Sequence, residues 1–352
     1  MTPTFISKDR SLCLKGFALF LMVFLHLFNQ VHNLEGCYNL FNVGNLPLAN
    51  FLSQGCNPVG LYLFVSGYGL YYLGTKHIGG VKLRLLKLYL LYWIVLVVFV
   101  SLGSVMRPDK YPGTWLDILQ NITAFRTTYY GEAWFMFPYA LLALSHKYIF
   151  ALLDRYGIKR VLLVVFVFNY VAMFLISRYY ASFFDTHYAL YHVVVYFDCL
   201  LPFLLGAVFC KCSNFQGAEK LTPFFHLPRP VLVLILATLF IVNCVVHSAA
   251  FGPFYLVAFV LLFVNINWHP WFLACCRFLG RFSTSVWLIH TWFCYYLFHD
   301  FIYGLHYPIL ILIVEFAVSI MVGYVIQKVA KQAYSVLGFL PLRKNFSSKQ
   351  SN

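Results

Sequence analysis

Apolar stretches of about 18–22 residues recur along the chain, separated by short polar or basic segments. A helix of about 20 residues crosses the ~30 Å hydrocarbon core of a bilayer, so the pattern predicts about ten membrane spans. The predicted spans cover residues 12–30, 57–75, 84–104, 133–152, 159–177, 190–210, 230–247, 249–267, 284–303 and 307–328. The sequence therefore predicts an all-α integral membrane protein.

The composition agrees with this pattern and leaves little chain for anything else. Of the 352 residues, 62% are hydrophobic and only 10% are charged, whereas about 25% of residues are charged in a soluble domain. We predict one transmembrane domain over residues 1–335, a polar cytoplasmic tail over 336–352, and no soluble domain. The longest segments outside the spans are two outer loops, near 31–56 and 105–132, and an inner loop near 211–229.

The net charge of +14 is explained by the side of the membrane on which the basic residues fall. With the N-terminus inside, the outer side holds only Arg107, Lys110, Arg126 and Arg178 of the 25 lysines and arginines. Cytoplasmic loops are enriched in lysine and arginine, so both termini are predicted to be cytoplasmic. No basic, aromatic-interleaved soluble module is present, and no nucleic-acid partner is expected.

Most of the ten cysteines lie inside apolar stretches, where cysteine packs as a small hydrophobic residue. The C-K-C segment at 210–212 and the adjacent pair at 275–276 each lack the second half of a metal site, so no metal is expected. Cys37 and Cys56 fall in one outer loop, and whether they form a disulfide is left open by the sequence.

Two ionisable residues in the first span share one helix face. Lys15 and His26 are eleven residues apart, and eleven steps of about 100° return to within about 20° of the starting direction. The same geometry separates them by about 16 Å along the axis, with Lys15 at the cytoplasmic end and His26 in the outer half. Such residues are candidates for function. The alternatives are a lysine that snorkels to the interface and a structural histidine bonded to a neighbouring helix.

Three carboxylates are predicted at a depth close to that of His26. By helical rise, Asp198 and Glu315 each lie about 12 Å below the outer surface, and Glu132 lies at the outer mouth of the fourth span. One of them could orient the His26 imidazole for general base catalysis, and the spacing leaves open which one. The alternatives are that Glu132 is an interface residue and that Glu315 forms a hydrogen bond between helices.

Other polar residues occur at both ends of the predicted spans. Arg84 and Lys87 are three residues apart, so they share a helix face at the cytoplasmic boundary. They form a candidate phosphate-binding pair, although the positive-inside bias alone would also place them there. His290 is predicted about 9 Å from the inner end of the ninth span. Ser66 lies mid-helix beside two glycines in "FVSGYGLYY", a pattern typical of close helix packing.

Five segments, taken in chain order, resemble the motifs of a known family. They are the first-span "LKGFALFLMVFLHLF" with its basic residue and histidine, the second-span "LFVSGYGL", the basic third-span start "KLRLLKLYLLYW", the fourth-span "AWFMFPYALLAL" and the late "LGRFSTSVWLIHTWF". Each motif is weak alone, but the ordered set with ten spans is fairly specific. The chain resembles the membrane-bound acyltransferase-3 family, of the type that modifies bacterial surface glycans.

The resemblance implies transfer of an acyl group, commonly acetyl from acetyl-CoA, to a hydroxyl of a surface polysaccharide or lipid-linked glycan. It implies that His26 is the catalytic histidine and that Lys15, Arg84 and Lys87 take the place of the family's donor-binding cations. Lysine replaces the usual arginine at two of these positions, Lys15 and Lys87, which keeps the charge but loses bidentate phosphate recognition. No appended hydrolase-like domain is seen, so a second catalytic module would be another protein.

The remaining expectations combine the depths of the residues in the spans with the resemblance. We expect Glu132 and Asp198 to assist catalysis, and Trp134, Ser66 and His290 to contact the sugar or glycolipid acceptor. Acyl-CoA is expected as a substrate rather than a bound cofactor. The expected location is the bacterial cytoplasmic membrane, where glycan-biosynthesis proteins are possible partners.

Two functions of other classes fit the same residues. A transporter or flippase for a glycolipid or small solute would use His26, Asp198 and Glu315 as a proton relay and would not depend on CoA. No inverted repeat, which many transporters contain, is detectable in the sequence.

An enzymatically inactive relative would instead serve as a membrane scaffold or sensor. Within the enzyme hypothesis, succinyl or another short acyl group and an acceptor other than a glycan stay open.

Overall fold

The computed structural model describes residues 6–214, 227–246 and 248–338, and the chain within them is almost entirely helical. Its helices are α1 (Lys8–Phe28), α2 (Leu48–Ser53), α3 (Pro58–Thr75), α4 (Val81–Met106), α5 (Trp115–Thr123), α6 (Met136–Tyr156), α7 (Ile158–Tyr179), α8 (Tyr188–Asn214), α9 (Arg229–Val246), α10 (Gly252–Asn265), α11 (Pro270–Thr291), α12 (His299–Tyr303) and α13 (Pro308–Val336). Strands β1 (Asn42–Val43) and β2 (Leu46–Pro47) form a short antiparallel hairpin between α1 and α2. The prediction of an all-α fold is confirmed.

Eight helical segments of the described chain are long and apolar enough to span a membrane. They are Lys8–Phe28, Val81–Met106, Gly131–Tyr156, Ile158–Phe184, Tyr188–Cys212, Arg229–Val246, Pro270–Leu297 and Pro308–Val336. The second and eighth predicted spans are helical as well. Tyrosine and glycine are frequent in α3, and Ala249–Asn265 is shorter than the others. The chain is a multi-pass membrane protein without a soluble domain among the described residues.

Two helix pairs, α1 with α11 and α3 with α8, make the most extensive contacts between helices in the described chain. Each pair crosses at glycines, one on each helix. A Cβ atom at Gly16 of α1 would lie 1.8 Å from the carbonyl oxygen of Cys276, and Gly280 of α11 approaches α1 in the same way. Small residues let helix backbones touch, which is how helices associate in a bilayer that offers no hydrophobic driving force.

The ninth predicted span, 284–303, starts too late. In the structure α11 begins at Pro270, directly after its N-cap His269, and the chain continues through a π-helical turn before α12. Arg277 and Arg281, in the third and fourth turns of α11, interrupt the hydropathy pattern, and this interruption made the prediction wrong. Arg277 is paired with Asp9 of α1 at 3.0 Å, so these turns pack on the bundle despite their charge.

The outer loops hold short elements, namely the hairpin, α2 and α5. Cys37 and Cys56, whose pairing the sequence leaves open, are both free thiols. Part of the predicted inner loop, 215–226, and the tail from 339 to 352 lie outside the described residues. The same holds for four of the basic residues assigned to the cytoplasmic side, Lys220, Arg343, Lys344 and Lys349.

Candidate active site

A cavity of about 590 Å³ lies between α1, α3, α4, α6 and α11. It brings together seven of the nine residues predicted to form a site. These are Lys15, His26, Ser66, Arg84, Lys87, Glu132 and Trp134. Lys15 and His26 both face the cavity, as their spacing along α1 predicts. The cavity therefore follows about half the length of this helix, since Lys15 and His26 are separated by about 16 Å along its axis.

Three cations line one end of the cavity, Lys15 on α1 and Arg84 and Lys87 on α4. In the part of the chain that the structure describes, no carboxylate lies within 4.0 Å of any of them. Tyr334 of α13 packs here, its hydroxyl donating to the carbonyl oxygen of Lys87 at 2.8 Å and its ring centroid 5.5 Å from Lys87 Nζ. Cations without carboxylate partners are stabilised by an anion, so this end is suited to bind phosphate groups.

At the other end, His26 lies between the cavity and His290 of α11. Nδ1 of His26 is 2.7 Å from Nε2 of His290, and the ring centroids are 5.0 Å apart. His290 is fully buried, and its Nδ1 lies 2.9 Å from the carbonyl oxygen of Val286 and 3.0 Å from that of Trp287. His290 thus contacts His26 from behind and does not line the cavity.

This contact corrects two predictions. The sequence predicts His290 near the inner end of its span, but α11 begins at Pro270, which puts His290 about 30 Å along the helix axis, beside His26. The sequence also predicts a carboxylate partner for the His26 imidazole. In the structure the partner of His26 is His290 instead. Which side chains meet depends on the rotation of each helix about its own axis, and depth in the membrane does not determine that rotation.

Two of the three candidate carboxylates lie away from the cavity. Asp198 on α8 faces α7, where Asn169 Nδ2 donates to its carbonyl oxygen at 2.8 Å and to its Oδ1 at 3.2 Å. Glu315 on α13 is fully buried and accepts a hydrogen bond from the Ser319 hydroxyl at 2.7 Å. The structure does not bring Asp198 to His26, since helical depth alone does not fix the direction of a side chain.

The third carboxylate, Glu132, reaches the cavity from the 3₁₀ turn that precedes α6. Its Oε2 accepts a hydrogen bond from the Tyr296 hydroxyl at 2.9 Å, and the same hydroxyl accepts one from the Gly131 backbone N–H at 2.7 Å. Lys110 Nζ lies 4.6 Å from the centroid of the Tyr296 ring. These contacts hold the carboxylate at the end of the cavity opposite the three cations, where it can accept a hydrogen bond from a ligand hydroxyl.

Several polar residues of the cavity are not predicted by the sequence. Tyr62 of α3 donates to the carbonyl oxygen of Lys15 at 3.2 Å, and Tyr334 closes the cationic end. The signal for Tyr334 was present, because the apolar periodicity of the last span continues past 328 and α13 extends to Val336. The other unpredicted aromatic, amide or hydroxyl side chains that line it are Asn57, Phe135, Tyr139, Ser283, Thr284 and Trp287.

A comparison with protein families identifies the class of this site. A family model described as an acyltransferase domain matches residues 13–328, which is nearly the whole chain. The matched range runs from α1 to α13 and includes every residue that lines the cavity except Tyr334. No curated protein and no solved structure gives a significant match. The chain belongs to the acyltransferase 3 family and is a multi-pass membrane acyltransferase.

Proposed function

We propose that the protein transfers an acetyl group from cytoplasmic acetyl-CoA to a hydroxyl of a surface polysaccharide or lipid-linked glycan. One observation carries the proposal: a single cavity joins His26 to three cations that have no carboxylate partner in the described chain. Family membership supplies acyl transfer as the reaction class. The cavity supports the identity of the donor and the direction of transfer.

The cationic end supports a donor rich in phosphate. CoA carries a diphosphate and a 3′-phosphate, and Lys15, Arg84 and Lys87 can pair with these groups through charge-assisted hydrogen bonds. The thioester must then reach His26, about 16 Å away along α1. Apolar side chains such as Leu88 line the cavity between the two ends and suit the pantetheine arm. A donor bound in this way spans much of the membrane.

At the reacting end, His26 acts as a general base. Its imidazole takes the proton of the acceptor hydroxyl while the oxygen attacks the thioester carbonyl carbon. The C–S bond breaks, and the departing CoA thiolate receives the proton from the imidazolium. The products are the acylated acceptor and free CoA, with no net charge left at His26. In the alternative role, His26 carries the acyl group transiently before the acceptor attacks.

The end of the cavity opposite the cations supports an acceptor sugar. Glu132 can accept a hydrogen bond from a sugar hydroxyl, and the Trp134 ring can pack against the apolar face of a sugar. With the cations inside, this end of the cavity lies toward the outer side of the membrane. We therefore place the protein in the bacterial cytoplasmic membrane with both termini inside, where glycan-biosynthesis proteins deliver the acceptor.

The transporter hypothesis receives less support from the same geometry. Its proton relay requires His26, Asp198 and Glu315 to communicate, but only His26 lines the cavity. Asp198 is bonded to Asn169, and Glu315 to Ser319. The relay is therefore not assembled around a common path.

Mass spectrometry of surface glycans and glycolipids from cells with and without the protein tests the proposal. We expect the acetyl mass increment to disappear without the protein and in His26→Ala, and to persist in the control His187→Ala, an exposed histidine away from the cavity. Unchanged acetylation in His26→Ala would overturn the mechanism, and altered export without glycan change would favour a transporter. An acyl group trapped on His26 in the absence of acceptor would assign the covalent role.

A further inference from the structure

We propose that His290 is a positioning residue that fixes the tautomer of His26, so that the lone pair of His26 Nε2 faces the cavity. The proposal rests on the proposed function, in which His26 acts on the acceptor hydroxyl. Three hydrogen bonds and the packing of α1 against α11 support it. His290 itself does not touch the substrate, since it does not line the cavity.

The backbone partners of His290 locate its proton. Its Nδ1 lies 2.9 Å from the carbonyl oxygen of Val286 and 3.0 Å from that of Trp287. A carbonyl oxygen only accepts hydrogen bonds, so Nδ1 of His290 carries a hydrogen. In a neutral imidazole the second nitrogen is then an acceptor, and Nε2 of His290 presents its lone pair to His26.

This assignment determines the tautomer of His26. Its Nδ1 lies 2.7 Å from Nε2 of His290. Because that Nε2 accepts, Nδ1 of His26 donates and carries the hydrogen. The lone pair of His26 is therefore on its own Nε2, on the side of the ring remote from His290. Because His26 lines the cavity and His290 does not, we infer that this side faces the cavity. A base or nucleophile needs its lone pair directed at the substrate, whereas the other tautomer would present an N–H group.

The surroundings favour two neutral rings in the resting protein. His290 is fully buried, and among the described residues no carboxylate lies within 4.0 Å of either imidazole. A charged imidazolium without a counter-ion is costly inside a span. The second histidine thus orients the first, a task that a carboxylate performs in the serine-protease triad, without burying a negative charge in the membrane.

The contact between the rings depends on how closely α1 approaches α11. A Cβ atom at Gly16 would lie 1.8 Å from the carbonyl oxygen of Cys276, and Gly280 makes the reciprocal approach. Beyond His290, the Tyr295 hydroxyl contacts the carbonyl oxygen of His26 and fixes the outer end of α1. The two helices are held together on both sides of the histidine pair, so the imidazoles have little freedom to separate.

Two variants at position 290 test whether His290 acts by accepting a hydrogen bond from His26 or only by filling space. His290→Gln places an amide oxygen near the position of Nε2, where it accepts from His26, and His290→Leu fills the space without an acceptor. We expect kcat to fall by about 10²–10⁴-fold in His290→Leu and to stay within about tenfold of wild type in His290→Gln. The KM for acetyl-CoA should not change in either variant, because the cations at the other end are untouched. Equal loss of kcat in both would overturn the proposal.

A chemically fixed tautomer provides a test that does not depend on the native contact. Nδ-methylhistidine at position 26 carries its lone pair permanently on Nε2, and His290→Ala makes room for the methyl group. We expect this combination to restore kcat at least about tenfold over His290→Ala alone, at comparable melting temperatures. No restoration would also overturn the proposal. If wild type forms no product from acetyl-CoA, or His26→Ala is as active as wild type, the proposed function itself fails instead.

Discussion

The Cβ position of Gly67 on α3 lies 1.8 Å from the carbonyl oxygen of Phe203 on α8, so these two helices touch backbone to backbone. Alanine at this position must push the helices apart, and overpacking of this kind costs about 1–3 kcal/mol. We expect Gly67→Ala to lower the melting temperature of the purified protein in detergent. In the control Gly69→Ala, on the same helix with no atom within 4 Å of its Cβ, the melting temperature should stay or rise. Equal melting temperatures for the two variants would contradict the close approach of α3 and α8 at Gly67.

The cationic end of the cavity gives a second prediction. Arg84→Gln and Lys87→Gln each remove a charge that has no carboxylate partner in the described chain. Loss of a charge-assisted hydrogen bond of about 1.5–3 kcal/mol should raise the KM for acetyl-CoA about ten- to a hundredfold, with a smaller effect on kcat. The control is Lys82→Gln, an exposed lysine on the same helix that does not line the cavity. Steady-state kinetics in proteoliposomes measure all three variants, and an equal rise in Lys82→Gln would argue against a defined phosphate site.

The sequence predicts the relative positions of site residues best when both residues lie on the same helix. Lys15 and His26 lie on α1, and Arg84 and Lys87 lie on α4, so the fixed rise and rotation of an α-helix determine whether each pair shares a face. Both pairs face the cavity. The positions of most helices along the chain are also predictable, since they follow from the apolar pattern alone.

Relationships between helices are predicted less well, because they depend on where a helix starts and how it is rotated. His290 is misplaced in depth because two arginines conceal the first turns of α11 from the hydropathy pattern. Asp198 lies on a predicted span but faces Asn169 of α7. The contact between His26 and His290 combines both difficulties. To predict it, one must know where α11 starts and how α11 crosses α1 at the glycines. None of these facts is encoded in the periodicity of one segment.

Asp198 and Glu315, which lie outside the cavity, give a prediction that distinguishes the proposed enzyme from a transporter. We expect Asp198→Asn and Glu315→Gln to retain acetylation of the surface glycan, because neither side chain lines the cavity that holds His26. Both substitutions keep the shape of the side chain and the hydrogen bonds to Asn169 and Ser319 within reach. Glycan mass spectrometry on cells that express each variant at equal levels measures the effect. Loss of function in both would indicate a proton relay and support transport.

Glu132, at the end of the cavity opposite the cations, gives a prediction that distinguishes binding of the acceptor from binding of the donor. Glu132 is held there by the Tyr296 hydroxyl at 2.9 Å, and in the proposed function it accepts a hydrogen bond from the acceptor sugar. In Glu132→Gln the amide keeps the shape but loses the charge, so the KM for the acceptor should rise about tenfold or more. The KM for acetyl-CoA should not change, because the cations lie at the opposite end.

Glu35→Gln is the matched control for this prediction, since Glu35 is an exposed acid that does not line the cavity. Tyr296→Phe removes the hydroxyl that holds the carboxylate and should act in the same direction as Glu132→Gln, with a smaller effect. Initial rates at varied acceptor and at varied acetyl-CoA separate the two KM values. If Glu132→Gln raised the KM for acetyl-CoA instead, the donor would bind at this end of the cavity, and the proposed direction of transfer would be reversed.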